Sequence, residues 1–337
     1  MCIRDSVGGY LTDSLSWRWV FFVNIPFAFI AALAVGSALV SPRPSSRPRI
    51  DYRCAVLLSG TVTLLLLALG QATGGQGFAW GRFGTLLGGA LILWVAFIHV
   101  ERRAADPLIP FELFGDRVIG PAMLSGFLVG VAMFGAISFV PLFVQAALGG
   151  SAIDAGSALT PLLLGWVLMS IVTGRVLMKV GYRRMVFAGL SCVSFGFFQL
   201  SQIDIGASLW MIRAVLAIMG VGMGMTILTL ILAVQNAVPR NQLGIATSLG
   251  HFTRSIGGAF GVATMGAIVV VSLPAGGDAS PQQLTAALQR VFMFGAFAAG
   301  SAVISSFWFP KGLPQERLPD GAASPVASVT GETAQRI

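Results

Sequence analysis

The chain has 337 residues, of which 55% are hydrophobic and only 10% are charged, and its formal net charge is +8. Soluble globular proteins carry about 25% charged residues, so this composition excludes an ordinary soluble enzyme and indicates a surface that faces lipid. The basic residues lie between apolar stretches and do not gather in one polar domain, which favours membrane topology over nucleic-acid binding.

Nine apolar stretches without an internal acidic residue follow one another along the chain. Each is close to the roughly 20 residues that a helix needs to cross a bilayer. The sequence therefore predicts an all-α polytopic membrane protein with spans near Val20–Val40, Cys54–Ala72, Phe83–Val100, Ile119–Ala147, Gly156–Gly174, Met185–Leu200, Leu209–Val238, Gly244–Val271 and Val291–Phe309.

The segment before the last stretch, Ser280-Pro-Gln-Gln283, has the pattern of a capping box with proline at the first helical position. It predicts that the last helix begins near Pro281, outside the bilayer. The tail of residues 310–337 is rich in Pro, Gly, Ser and Ala, and we expect it to be disordered in the cytoplasm.

The loops between the stretches alternate between basic and nearly uncharged. One side of the predicted membrane holds fifteen basic residues, and the other holds Arg18, Arg82 and Arg290. Short basic loops stay in the cytoplasm, so we expect the residues before Val20 to face outward. Trp17 and Trp19 then flank Arg18 as interface anchors. A cleaved signal peptide is the alternative for this start, but the apolar run comes late for one.

Arg254 is the most unusual single residue in the sequence. It lies about ten residues into its predicted span, roughly 15 Å deep at about 1.5 Å per residue. A charge at that depth is costly and indicates a functional role. His251 lies three residues earlier, on the same face of the helix. The alternative is that Arg254 binds carbonyl or polar groups and stabilises helix packing.

Other polar and small residues are weaker candidates. Four polar side chains near span ends could line a passage, although helix–helix hydrogen bonding or capping is the alternative for each: Asn24, Gln145, Gln235 and Asn236. Glycines four residues apart predict close helix contacts that could permit bundle motion: Gly220/Gly224, Gly126/Gly130 and Gly257/Gly261. The three cysteines are scattered and only His99 and His251 are present, so we predict neither a disulfide nor a metal site.

The segment Val7–Pro26 closely resembles the end of the fifth span, the outer loop and the start of the sixth span in the EmrB/QacA-like drug:proton antiporters. These are fourteen-span members of the major facilitator superfamily. The resemblance covers about Val7 to Pro310 and continues through Glu101–Pro110, Pro141–Gln145, Leu159–Leu162, Val234–Ser248 and Arg254–Ala263.

The segment from Gly174 to Arg184 resembles the cytoplasmic loop motif of the superfamily, in its second-half copy. The resemblance implies that glycines allow a tight turn and that basic side chains bind helix C-termini and lipid phosphates. Met178 stands where the family often has an acid, and an ordinary basic loop is the alternative. The motif residues are Gly174, Arg175, Lys179, Gly181, Arg183 and Arg184.

The resemblance implies a partial major facilitator bundle with nine of fourteen transmembrane helices. Met1–Ser6 does not look like the family sequence, so we expect a truncated or non-native start, with a genuine short paralogue as the alternative. The implied regions are 1–18, the outer start; 19–40, the last helix of the N-terminal bundle; 41–116, a basic cytoplasmic linker plus two inserted central helices; 117–309, the six-helix C-terminal bundle; and 310–337, the tail.

The function implied by the resemblance is proton-coupled efflux of small lipophilic molecules by alternating access, in a bacterial inner membrane. The proton gradient supplies the energy and no cofactor is expected. The expected partners are the lipid bilayer, a small-molecule substrate and a periplasmic adaptor protein, without nucleic acid. The coupling acids of relatives lie largely in early helices, so we expect no transport by this chain alone. The alternatives are a non-transporting scaffold or regulator and a carrier of a different metabolite; no catalytic constellation supports an enzyme.

Overall fold

The computed structural model of the chain describes residues 18, 22–38, 51–71, 80–103, 111–239, 242–274 and 280–310. Across these residues all regular secondary structure is helical. Trp17, Trp19, the segment 1–6, most of the basic linker and nearly all of the tail lie outside the described residues, so the predictions made for them stay predictions.

Nine α-helices form the described part of the chain. Eight of them are long and apolar enough to cross a membrane, while the first has 15 residues. The helices are α1 Asn24–Ala38, α2 Tyr52–Gln71, α3 Trp80–Glu101, α4 Ile119–Leu142, α5 Ala152–Val180, α6 Tyr182–Ser201, α7 Leu209–Ala237, α8 Leu243–Ser272 and α9 Pro281–Ser305. Short 3₁₀ turns lie at Phe111–Gly115 and Ser306–Trp308, and α4 continues into a π-helical turn at Phe143–Ala147. The predicted all-α polytopic membrane fold is confirmed.

The boundaries of α5 differ from the predicted span at both ends. The helix starts at Ala152 because Ser151 and Asp154 form a capping box: the Asp154 N–H donates to Ser151 Oγ at 3.1 Å, and the Ser151 N–H donates to Asp154 Oδ2 at 3.0 Å. It continues to Val180, and the turn into α6 is a single residue, Gly181, with φ of 87°. That left-handed conformation favours glycine, so one residue replaces the predicted loop.

The helices from α4 to α9 form one packed unit. In it α4 pairs with α8, α7 packs between α5 and α6, and α9 lies against α6 and α4. Helices α2 and α3 form an antiparallel hairpin that contacts this unit mainly through α8. Most side chains of α4 and α7 are buried, whereas most of those of α5 and α8 are only partly buried or exposed.

Two glycines of α7, one turn apart, set the distance between α7 and α5. A Cβ atom at Gly220 would overlap the Leu162 carbonyl oxygen, and a Cβ at Gly224 would lie 2.6 Å from the Trp166 carbonyl oxygen. The backbones of the two helices therefore approach each other closely at both positions of this glycine pair.

Two glycines of α8 have the same relation to α4. A Cβ atom at Gly257 would overlap the Phe127 carbonyl oxygen, and a Cβ at Gly261 would lie 2.7 Å from the Cα atom of Val131. Both glycines are buried, so the structure places the Gly257/Gly261 pair inside the α4–α8 contact. Lipid tails are as apolar as leucine, so hydrophobicity does not drive helices together in a membrane. Close backbone contact stabilises helix pairs there through van der Waals packing.

The start of α9 follows the predicted capping box. The Ser280 N–H donates to Gln283 Oε1 at 3.0 Å, the Gln283 N–H donates to Ser280 Oγ at 3.3 Å, and Pro281 is the first helical residue. The prediction that the last helix begins near Pro281 is confirmed.

Replacing Ser280 with alanine is expected to weaken the first turn of α9 by about 1 kcal/mol, or roughly fivefold in its opening equilibrium. Hydrogen exchange followed by mass spectrometry should show faster exchange at the amides of Leu284 and Thr285. Gln282→Ala is the matched control, since Gln282 is exposed and outside the capping box. Equal exchange in the two variants would show that the box does not stabilise the helix start.

Candidate functional site

Arg254 lies near the middle of the membrane-spanning length of α8, and its side chain is half-buried. Its Nη2 atom is 2.6 Å from Nδ1 of His251. A guanidinium group can only donate, so Nδ1 of His251 must accept, and a neutral imidazole then carries its proton on Nε2. The two residues that share a helical face in the sequence therefore form one hydrogen-bonded pair.

A small cavity lies beside this pair, where α4, α7 and α8 meet. Its volume is about 20 Å³, and Met123, Gly126, Leu230 and Arg254 are among its lining residues. A cavity of this size can hold one water molecule. No atom lies within 4 Å of a Cβ position at Gly126, because that glycine borders the cavity. The helix contact predicted for the Gly126/Gly130 pair is therefore present only at Gly130, whose Cβ would overlap the Arg254 carbonyl oxygen.

Gln235 and Asn236 both make interhelical hydrogen bonds at the end of α7. Gln235 Nε2 donates to Thr247 Oγ1 of α8 at 3.2 Å, and Asn236 Nδ2 donates to the Tyr182 hydroxyl of α6 at 2.8 Å. The sequence left open whether these residues line a passage or make helix–helix hydrogen bonds or caps. In this structure they connect α7 to α8 and to α6.

Gln145 and Asn24 lie apart from Arg254. Gln145 is exposed in the π-helical turn, 15 residues beyond Gly130 and therefore about 22 Å farther along the helix. The proline at position 141 precedes this turn, and a proline lacks the N–H of a regular helical bond. Asn24 is exposed at the start of α1. The predicted pathway residues therefore form no single cluster in the described part of the chain.

The basic motif from Gly174 to Arg184 is a helix junction. Gly174 and Arg175 are helical residues of α5, Lys179 is in its last turn, and Gly181 alone forms the turn. The Gly181 N–H donates to the Leu177 carbonyl at 2.9 Å. The tight turn therefore needs only the second glycine of the motif.

The basic side chains at this junction differ in their contacts. The Arg183 guanidinium lies over the Phe307 ring, with Cζ 5.2 Å from the ring centroid, and so connects α6 to the end of α9. Arg175, Lys179 and Arg184 are exposed. Arg18 is also exposed, and its carbonyl accepts from the Phe22 N–H at 3.3 Å.

Two features of the hairpin were missed by sequence reasoning. Glu101 is only 2% exposed at the end of α3, although two exposed arginines follow it directly. It lies beside Cys54, which is fully buried near the start of α2 and whose thiol donates to Asp51 Oδ2 at 3.4 Å. The packing of α2 on α3 causes this burial, so no local sequence signal could have revealed it.

The Asp51 carboxylate precedes α2 and caps it. Its Oδ1 accepts from the backbone N–H groups of Cys54 at 3.3 Å and of Arg53 at 2.9 Å. The hydrogen bonds from the Cys54 backbone and thiol, together with nearby Arg53, hold the pKa of Asp51 below its usual value. Asp51 therefore stays ionised at neutral pH.

Membrane-length helices packed through glycines, with an arginine at mid-depth, define a multi-pass membrane protein. A profile of the Major Facilitator Superfamily matches residues 6–262. The chain belongs to this superfamily, whose members are carriers rather than enzymes.

Three relatives illustrate the similarity. The chain is 35% identical to the multidrug transporter protein MdtP of Bacillus subtilis, over 79% of this chain and 49% of that protein. It is 34% identical to the uncharacterised MFS-type transporter Rv1877 of Mycobacterium tuberculosis, over 78% of this chain and 39% of the relative. It is 32% identical to the cephamycin export protein CmcT of Amycolatopsis lactamdurans, over 82% of this chain and 57% of that protein. The chain spans about half the length of the curated relatives it matches.

Proposed function

We propose that the chain is part of a multidrug efflux transporter of the fourteen-span drug:proton antiporter type. The main support for this proposal is the similarity to two proteins of Bacillus subtilis. The identity is 35% to MdtP over 79% of this chain, and 29% to multidrug resistance protein 3 over 78%. The substrates are small lipophilic molecules, and the energy comes from protons that enter as the substrate leaves. A periplasmic adaptor protein is a proposed further partner.

The packing of the helices supports an alternating-access mechanism. Helices α4 to α9 form the six-helix C-terminal bundle of the proposed transporter, and α2 and α3 are its two inserted helices. The exposed apolar faces of α5 and α8 suit contact with a second bundle across a central passage. Rocking of two bundles about a site near the midplane would then expose the substrate to each side in turn.

Arg254 and His251 are the proposed pathway residues of this bundle. Arg254 borders the cavity between α4, α7 and α8, His251 is exposed beside it, and a charge within the membrane is by default a functional group. Under the same proposal, the bilayer is the bacterial inner membrane. The fifteen basic residues of one face, and the tail, lie on the cytoplasmic side.

Transport can be measured on the protein expressed from its complete reading frame and reconstituted into liposomes. A lipophilic cationic dye such as ethidium should move against its gradient when a pH gradient is imposed, and a protonophore should abolish that movement. Liposomes without protein are the control for leakage. Dye movement that persists after the pH gradient has collapsed would contradict proton coupling, and absence of movement with several dyes would contradict multidrug efflux.

A further inference from the structure

An apolar slot lies between the α2–α3 hairpin and α8. It consists of two connected clefts with volumes of about 830 Å³ and about 620 Å³. The larger cleft lies between the first halves of α2 and α8, and the smaller one lies deeper and also touches α3 and α4. Both share the side chains of Leu58, Val62, Leu249 and Phe252, so the slot is continuous along the hairpin.

The length of the slot matches one leaflet of a bilayer. On α2 the lining runs from Ala55 to Leu65, which is about 15 Å at roughly 1.5 Å per residue. The hydrocarbon core of a bilayer is about 30 Å thick. The slot therefore extends from the starts of α2 and α8 to about the middle of the membrane, the depth that an acyl chain reaches.

The walls of the slot are mostly apolar, and the larger cleft also has the hydroxyl residues Ser59, Thr63 and Ser248 in its lining. Two hydroxyl groups are part of the deeper lining, but each donates to its own helix: Thr61 to the Leu57 carbonyl and Thr253 to the Leu249 carbonyl, both at 2.8 Å. The aromatic side chains of Trp94 and Phe114 are also part of the lining of the smaller cleft. Such a wall offers contact area to a flexible hydrocarbon chain and little directional bonding to a polar ligand.

The ends of α2 and α3 on the side of the shallow end of the slot carry three exposed arginines. Arg53 is exposed at the start of α2, and Arg102 and Arg103 are exposed just after the end of α3. The contact between Cys54 and Glu101 places these two helix ends side by side. Asp51 and Glu101 are the acids at these described helix ends: the Asp51 carboxylate is engaged by the first amides of α2, and Glu101 is buried beside Cys54. The opposite end of the described hairpin carries Arg82 alone.

We propose that this slot is a binding site for one anionic glycerophospholipid. The phosphate headgroup binds Arg53, Arg102 and Arg103, and an acyl chain fills the slot between α2, α3 and α8. A basic cluster at a membrane edge attracts anionic headgroups, and the apolar groove below it holds the chain in one place. The lipid fills a gap between the hairpin and the six-helix unit, so it connects two parts that share few direct contacts. This proposal does not depend on transport.

Lipid retention on the purified full chain tests the site. The protein is equilibrated in detergent with equal amounts of dioleoyl phosphatidylglycerol and dioleoyl phosphatidylcholine, and bound lipids are counted by native mass spectrometry. We expect one retained lipid, predominantly phosphatidylglycerol. Arg53, Arg102 and Arg103 are each replaced with glutamine. Each replacement should lower the retention of phosphatidylglycerol by about fivefold. Arg82→Gln, at the other end of the hairpin, should leave retention unchanged.

A second pair of variants tests the apolar part. Val62→Trp fills the slot and should reduce retention of both lipids at least fivefold. Val56→Trp is the matched control, because Val56 lies on the same helix with 71% of its surface exposed. Equal retention of the two lipids, or retention unaffected by the arginine substitutions, would overturn the anionic headgroup site. Retention that survives Val62→Trp would overturn the slot as the place of the acyl chain.

Discussion

Gly130→Ala should lower the thermal stability of the purified protein, whereas Gly126→Ala, one turn earlier on the same helix, should leave it nearly unchanged. A Cβ atom at Gly130 would overlap the Arg254 carbonyl oxygen and would lie 3.0 Å from the Gly258 backbone nitrogen. Those atoms belong to the backbone of α8, so the crossing of α4 and α8 must widen. At Gly126 the same Cβ atom meets no atom within 4 Å.

The cost of overpacking is typically about 1–3 kcal/mol, and rigid backbone neighbours place Gly130→Ala at the upper end of that range. Melting in detergent, followed by size-exclusion chromatography of the remaining folded protein, measures the difference between the two alanine variants. Both gain one methyl group and the same helix propensity, so the comparison isolates the contact. Equal melting temperatures would mean that α4 and α8 do not approach each other at this position.

Arg254→Ala should reduce export of a lipophilic dye by about tenfold, corresponding to about 1.4 kcal/mol, in the protein expressed from its complete reading frame. The substitution removes a charged group from mid-membrane depth and leaves His251 without its hydrogen-bond donor in the described structure. Export is measured in inverted vesicles with equal amounts of protein, so a loss of expression is corrected for. The substitution leaves the α8 backbone, which makes the helix contact at this position, unchanged. The fold should therefore be retained.

The matched control for this prediction is Arg213→Ala on α7. Arg213 Nη2 donates to Ser157 Oγ at 2.9 Å, and its Cζ lies 5.1 Å from the centroid of the Trp210 ring, near one membrane edge. Removing it should affect helix contacts but leave export near the unmodified level. Unchanged export in Arg254→Ala, with a lowered melting temperature, would assign Arg254 to packing instead.

The α5–α6 junction shows how far the local sequence pattern extends. Hydrophobicity ended the fifth span at Gly174, because the next residue is basic. The helix continues to Val180, since Arg175 and Lys179 can point outward from an exposed helix end without breaking its backbone bonds. Hydrophobicity reports where a helix leaves the lipid, and backbone conformation at Gly181 decides where it stops. The two positions differ by nearly two turns.

The polar candidates show a second limit. Arg254 and His251 are three residues apart on one helix, so their pairing followed from helix geometry, and the structure brings their side chains together. Gln235 and Asn236 bond to Thr247 and Tyr182 on other helices. Which residues meet across two helices depends on how the helices cross, and the pattern of a single sequence does not reveal that geometry.

The sequence by itself determined the all-helical class, the number and order of the apolar segments and the start of α9. Each of these depends on residues close together in the chain, either through the length of an apolar stretch or through a helix cap. Only the tertiary structure decided that α4 and α7 lie innermost, that Glu101 is buried against Cys54, and that a slot separates the hairpin from α8. These features arise where distant segments meet, and in lipid that meeting is governed by close backbone packing rather than by hydrophobicity, which every span shares.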